Sequence, residues 1–209
     1  MPIIATGKSG GGFEPVGEGL HTAICTSVID LGDQYNERFG NKQRKVRITW
    51  EVDDETVTVD GEEKPRIISK EYTLSLSDKA TLRRDLESWR GAKFSDDDIY
   101  VDGFDLQNIL GKPCQITVVH NVSKSGKTYA DIAGIVPLQK GMTPPRHSGD
   151  LVYFALDSDN DLSMIDTFPQ FIQDKIKKSP TYEQLVAANN APKGGDYGPM
   201  NNDSPDLPF

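Results

Sequence analysis

Lys45-Val46-Arg47-Ile48-Thr49-Trp50-Glu51 is the stretch that decides the fold class of this chain. Its side chains alternate: Val46, Ile48 and Trp50 are apolar, whereas Lys45, Arg47 and Thr49 are cationic or polar. Alternation with a period of two is typical of a strand that buries one face and exposes the other. It predicts a strand over Gln43–Val52, with Trp50 in the core and a cationic outer face. A strand of this kind needs partners in a sheet, so the fold is expected to be mainly β.

Four other stretches are rich in β-forming residues and end at turn residues. The five predicted strands are Leu20–Asp30, Gln43–Val52, Arg66–Leu76, Pro113–Asn121 and Thr128–Val136. The connections predicted between the first three are a polar loop at Leu31–Lys42 and an exposed acidic hairpin loop at Asp53–Pro65.

A helical insert is predicted between the third and fourth strands. Its main helix has a cap, an apolar stripe and a terminating glycine at Ser77, Leu82, Leu86, Trp89 and Gly91. Ser95–Tyr100 is expected to be a loop and Phe104–Leu110 a short helix. Three strands, a helical insert and two strands joined by a hairpin is the order of an OB-fold. This five-stranded barrel binds oligonucleotides across its second and third strands.

The chain beyond the barrel is predicted to add a smaller segment. It holds a further strand at Leu151–Leu156, an amphipathic helix at Thr167–Lys178 and one or two helical turns at Tyr182–Ala188. We expect it to pack on the barrel or on a second subunit. The predicted organisation is a flexible N-terminus (1–12), an OB-fold domain (13–140), a C-terminal extension with a helix (141–188) and a disordered acidic tail (189–209).

Charge is unevenly distributed along the chain. The formal net charge is −9, which by itself argues against a phosphate-rich partner. However, Arg38–Arg47 carries five basic side chains and no acidic one, and Lys112–Lys127 carries three lysines and His120 without an acid. In the OB-fold these stretches fall on and around the second strand and on the fourth strand with its following loop. Clustered cations can form a local positive groove in an acidic protein.

Non-specific binding of a single strand needs cations for the phosphates and aromatic faces for the bases. The candidate cations are Arg38, Lys42, Arg44, Lys45, Arg47, Lys112, Lys124 and Lys127. The candidate stacking residues are Tyr35, Phe39 and Tyr129. For all three aromatics, packing within the protein is the alternative.

The chain ends in an apolar tip, Leu207-Pro208-Phe209, behind Asp203 and Asp206. The preceding residues are rich in Asn, Gly, Pro and Asp, a composition typical of disorder. A mobile tail with an acidic and apolar tip is suited to docking in a pocket with a basic rim. These five residues are therefore the candidate partner-binding site.

No catalytic or metal-binding signature is found in the sequence. Gly126-Lys127-Thr128 resembles the end of a phosphate-binding loop, but Asn121 stands where that motif needs glycine. Asp96-Asp97-Asp98 is expected to be a solvated loop, and Cys25 and Cys114 to be packed thiols. The chain is predicted not to be an enzyme and to need no cofactor. With no leader and no apolar run near 18 residues, a cytoplasmic location without membrane association is expected.

Several of these stretches also resemble a known family. The likeness is carried by Lys45–Glu51, Ser69–Leu76, Asn108–Cys114, Phe168–Ile172 and the final tail. The chain resembles phage-encoded single-stranded DNA-binding proteins with an OB-fold and an acidic C-terminal tail.

The resemblance implies a protein that coats single-stranded DNA in phage replication, recombination and repair, in the cytoplasm of the host cell. It also implies recruitment of replication and recombination proteins through Asp206–Phe209. A homo-oligomer is left open. The alternative is an acidic DNA mimic or inhibitor that binds a nucleic-acid-processing protein, which the acidic Glu51–Glu63 cluster favours.

Overall fold

The structure is a computed structural model that describes residues 14–37, 40–59 and 61–190. Its strands are β1 (Gly19–Asn36), β2 (Asn41–Val59), β3 (Glu62–Thr73), β4 (Pro113–Val122), β5 (Thr128–Pro137) and β6 (Val152–Phe154). Its helices are α1 (Thr81–Arg90), α2 (Asp96–Tyr100), α3 (Gln170–Lys177) and α4 (Pro180–Asn190), with 3-10 turns at Leu106–Ile109 and Leu162–Thr167. The mainly β class is confirmed.

The strands form one open sheet in the order β3-β2-β1-β4-β5. These five strands pair antiparallel, and β6 pairs parallel with Ser27–Ile29 of β1. No backbone ladder joins β3 to β5 within the described ranges. A side chain links them instead, because Lys70 Nζ donates to the Ile132 carbonyl at 2.7 Å. The closed OB barrel therefore stays a prediction.

The main core lies between the inner face of the sheet and α1. Val46, Ile48 and Trp50 are all buried, as their alternation predicts. Trp89 of α1 packs against Trp50, with ring centroids 6.0 Å apart. Cys25 and Cys114 are buried free thiols in the same core, as expected.

The C-terminal segment forms a second core against the outer face of β1. The buried apolar residues of this core are Ile29, Leu31, Phe154, Leu156, Ile165, Phe168, Ile172 and Ile176. The close approach requires Gly32, whose φ is +70° and where a Cβ atom would lie 2.6 Å from Ser179 Oγ. The segment thus packs on the sheet of its own chain and adds a strand to it.

The predicted loops between the first strands are wrong, because pairing continues through them. Tyr35 pairs with Lys42, so most of Leu31–Lys42 belongs to β1 and β2. Beyond a register shift after Val52, the acidic Asp53–Pro65 stretch pairs as far as Val59 and Glu62. Cross-strand hydrogen bonds satisfy the backbone of these polar residues, so they need no core to remain in strands.

The helical insert also differs in detail. Helix α1 begins after Ala80 with no side-chain cap, so the Ser77 cap is wrong, whereas Gly91 ends the helix in the left-handed conformation as predicted. The predicted Ser95–Tyr100 loop is α2. There Ser95 Oγ accepts from the Asp98 N–H and the Asp98 carboxylate accepts from the Ser95 N–H, and this capping box stabilises a short helix.

Candidate nucleic-acid interface

The outer face of β2 and β3 is lined by cationic and hydroxyl side chains. Register places Lys45 opposite Thr73, Arg47 opposite Glu71 and Thr49 opposite Ser69. Lys45 Nζ donates to Thr73 Oγ1 at 2.7 Å, and the Thr49 and Ser69 hydroxyls are 3.0 Å apart. The side chains point outward because their neighbours Val46, Ile48 and Trp50 fill the core.

Arg47 is part of a charged cluster that the C-terminal segment completes. Its guanidinium bonds to Glu71 Oε1 at 3.3 Å, and Lys175 Nζ of α3 lies 2.6 Å from the same carboxylate. The Phe171 ring, one turn before Lys175 on α3, has its centroid 5.1 Å from the Arg47 guanidinium carbon. Two cations surround one carboxylate here, so the cluster keeps a positive balance.

Arg44 is used inside the protein. Its guanidinium donates to the Asp30 carboxylate and, at 3.0 Å, to the Leu156 carbonyl. The hydrogen bond with Asp30 raises the pKa of the guanidinium. Asp30 also accepts from the Gly32 and Leu156 backbone N–H groups. The carboxylate is 11% exposed and the Arg44 side chain 41% exposed, so Arg44 compensates a largely buried charge while part of its own side chain remains at the surface.

The end of the β1–β2 hairpin presents an aromatic residue beside a cation. The Tyr35 side chain is 65% exposed, and its strand partner Lys42 is also exposed. Lys42 forms no ion pair with any acidic residue in the described ranges. Arg38 and Phe39 lie outside the described residues.

The second basic stretch does not form one cluster. Lys112 precedes β4 and lines a cavity of about 350 Å³ with Trp89, Phe104 and Asn108. Lys124 and Lys127 lie ten or more residues further along, in the exposed turn between β4 and β5. Tyr129, the second residue of β5, is 48% exposed beside this turn.

The candidate interface has two ends, the β2 face with Arg47 and the β4–β5 turn with Lys124 and Lys127, and they are far apart along β1. Arg47 pairs with Ile29, whereas β4 pairs with β1 only between Gly19 and Ile24 and turns beyond Gly19. The shorter connection runs across the sheet, since Lys70 holds β3 next to Ile132 of β5. A DNA single strand bound at both ends would therefore cross β2, β3 and the start of β5 obliquely.

Acidic residues border the interface at the far end of the β2–β3 hairpin. Glu55 pairs with Arg66, and Asp54 lies 3.1 Å from the His21 ring nitrogen. Next to them a groove of about 610 Å³ is lined mainly by apolar residues such as Val57 and Ile67. Lys64 and Arg66 line this groove together with Glu14 and Glu51, so this end of the molecule carries charges of both signs.

Two residues of α3, Phe171 and Lys175, lie beside the Arg47–Glu71 pair and are not among the candidates that the sequence indicates. Phe171 is apolar like Ile172, so the amphipathic pattern of the predicted Thr167–Lys178 helix does not set it apart. The spacing of Phe168, Ile172 and Ile176 at four-residue steps marks the stripe that is actually buried, and Phe171 lies off it. Pairing with Glu71, which is 104 residues away from Lys175, has no sequence signal.

Three further stretches singled out in the sequence are the C-terminal tip, the aspartate run and the Gly126–Lys127 turn. Asp203, Asp206, Leu207, Pro208 and Phe209 lie outside the described residues. The Asp96–Asp98 carboxylates occupy the first turn of α2. Gly126 and Lys127 lie in a turn before a strand, a different setting from the strand-to-helix loop that cradles phosphates. Among residues 14–37, 40–59 and 61–190, no group of three or more His, Cys, Asp or Glu side chains could hold a metal.

No protein-family model and no curated protein matches the chain. The helices in the described part of the chain are too short or too polar to cross a membrane.

Proposed function

We propose that this chain is a single-stranded DNA-binding protein with little sequence preference, built on an OB-type barrel. The observation that carries the proposal is the outer face of β2. Its Lys45 and Arg47 face outward by the same alternation that buries Val46 and Ile48. Tyr35 and Lys42 add an exposed aromatic residue and a cation at the hairpin end, where alternation places them in phase with Val46, on the opposite face of β2.

The chemistry of this face suits an unpaired strand. Cations attract the phosphates wherever they fall, and each base offers a π-face to an aromatic residue. Tyr35 and Tyr129 are exposed tyrosines at opposite ends of the oblique path, next to Lys42 and Lys127. Neither contact reads base edges, so little sequence preference is expected.

The barrel part of the proposal is supported by strand order. An OB-fold pairs its strands in the order found here and brings the third strand beside the fifth. The Lys70 contact with Ile132 lies at that position. The biological role, coating single strands in phage replication and recombination and recruiting partners through Asp203–Phe209, rests on the resemblance of the sequence.

Binding to labelled oligo-dT, followed by fluorescence anisotropy at about 50 and about 200 mM salt, tests the proposal. With three or four phosphate contacts, affinity should fall about 20- to 50-fold between these salt concentrations. Duplex DNA of the same length is the competitor, and Lys79→Ala, an exposed lysine before α1, is the matched control for Lys42→Ala.

Absence of binding to both nucleic acids would overturn the proposal and favour the acidic mimic. Equal loss of affinity in Lys79→Ala and Lys42→Ala would place the DNA elsewhere on the surface.

A further inference from the structure

Phe171 is an apolar side chain that the fold leaves half in water. It lies on α3 directly before Ile172, yet Phe171 is 51% exposed whereas Ile172 and Ile176 are buried against β1. The two isoleucines anchor the helix without it. Exposing a phenylalanine forgoes much of the stabilisation that burial would provide, so burial in the core does not account for this residue.

The surroundings of the ring are those of the candidate interface. The Arg47 guanidinium carbon lies 5.1 Å from the ring centroid. Glu71 holds Arg47 on one side and Lys175 on the other, and Lys175 stands one helical turn from Phe171. The ring therefore lies on a surface with two cations, Arg47 from the sheet and Lys175 from α3.

An exposed aromatic ring fixed beside cations is the arrangement that binds an unpaired base. The ring supplies the stacking surface and the cations meet the adjoining phosphates. Rigid attachment through Ile172 and Ile176 means that little side-chain entropy is lost when a base stacks.

We propose that Phe171 is a base-stacking residue and that α3 forms one wall of the single-strand groove, with Lys175 as a phosphate contact. The inference rests on the proposed function. It assigns to the C-terminal segment a direct role in binding the nucleic acid, in addition to its packing on β1.

Three substitutions of Phe171 test this, with labelled oligo-dT as the probe. Phe171→Ala and Phe171→Leu should weaken binding by about 5- to 150-fold, the range of one base–aromatic stack. Phe171→Trp should keep the affinity, and its emission should be quenched by unlabelled oligo-dT. Trp50 and Trp89 are buried, so the quenched signal reports position 171. Tyr100→Ala, at a residue of α2 that is 76% exposed, is the control.

The outcomes separate this inference from the proposed function. If the unmodified protein binds oligo-dT and Phe171→Leu binds equally well, or if oligo-dT leaves the emission of the Phe171→Trp variant unquenched, Phe171 does not stack and the proposed function stands. If the unmodified protein does not bind, the proposed function fails first. Should Phe171→Ala lower the stability of the fold, the difference between Phe171→Leu and Phe171→Trp decides, because both keep a large apolar side chain.

Discussion

At the scale of single residues, burial controls the titration of the groups inside the core. Burial raises the pKa of the Cys25 thiol to about 12, and it also raises the pKa of Cys114. The Tyr72 hydroxyl donates to the Asp85 carboxylate at 3.0 Å; burial first, and then this negative neighbour, raise its pKa. All three groups are held neutral, so the two thiols are packing groups and not nucleophiles.

These raised pKa values predict a loss of stability at alkaline pH. Each group is harder to deprotonate when folded than when unfolded, so its contribution is complete below the unfolded pKa, near about 8.5 for Cys, and is lost as pH rises above it. The free energy of unfolding should be level between about pH 6 and 8 and fall above about pH 9, by up to about 1.4 kcal/mol per pH unit per group. Urea unfolding at neutral pH and at two alkaline pH values measures this.

The control is the Cys25→Ala/Cys114→Ala double variant, which lacks both thiols and should show a shallower decline. A decline of the same steepness in both proteins would assign the effect to other groups.

At the scale of elements, one buried carboxylate joins three strands. Asp30 of β1 accepts from Arg44 of β2 and from the Leu156 N–H just after β6. The Leu156 carbonyl in turn accepts from Arg44. A residue selected from the sequence as a DNA contact is thus a structural connection between the sheet and the C-terminal segment.

Substitution of two neighbouring basic residues should therefore affect different properties, stability for Arg44 and DNA affinity for Lys42. Arg44→Ala leaves Asp30 without its cation and should cost about 2–3 kcal/mol of unfolding free energy, less than for a fully buried pair because Arg44 is 41% exposed. Lys42→Ala should change stability by less than about 0.5 kcal/mol and weaken oligo-dT binding about 2- to 5-fold.

Urea unfolding and anisotropy on the same two variants provide the measurements. A stable Arg44→Ala variant with a larger binding defect than Lys42→Ala would restore Arg44 to the interface.

At the scale of the whole molecule, the helix that precedes the tail begins beside the β1–β2 hairpin. Thr181 at the beginning of α4 accepts from the Asp33 N–H at 2.9 Å, next to the β1–β2 hairpin. Fully extended, residues 191–209 would span at most about 65 Å, and we expect the acidic tip to come within reach of the cationic face of β2. A tail with Asp203 and Asp206 would then compete with phosphates.

Removal of Asp203–Phe209 should therefore raise the affinity for oligo-dT and abolish binding of protein partners. The charge and the apolar tip are separated by two variants: Asp203→Asn/Asp206→Asn should raise DNA affinity, whereas Leu207→Ala/Phe209→Ala should affect partner binding alone. Anisotropy and pull-down with replication proteins measure the two effects. Unchanged DNA affinity in the truncated protein would refute the competition and leave the docking role intact.

Much of the sheet was predictable because its signals are local. The alternation of Val46, Ile48 and Trp50 places them in the core, and Gly91 marks the end of α1. The lengths of β1 and β2 were not predictable, because polar residues beyond the core remain in strands through pairing with each other. Ser95 and Asp98 form the capping box of α2 and are visible in the sequence, but the three consecutive aspartates favoured the prediction of a loop.

By itself, the sequence determined the mainly β class, the order of the strands, the core tryptophans and the positions of the basic stretches. Each follows from neighbours within a few residues, which a one-dimensional pattern records. Only the tertiary structure decided which partner each cation has. It commits Arg44 to Asp30 and Leu156, separates Lys112 from Lys124, and brings Phe171 and Lys175 to Arg47. The bond from Arg44 to Leu156 alone joins residues 112 positions apart, and no periodicity of a strand or helix extends over that distance.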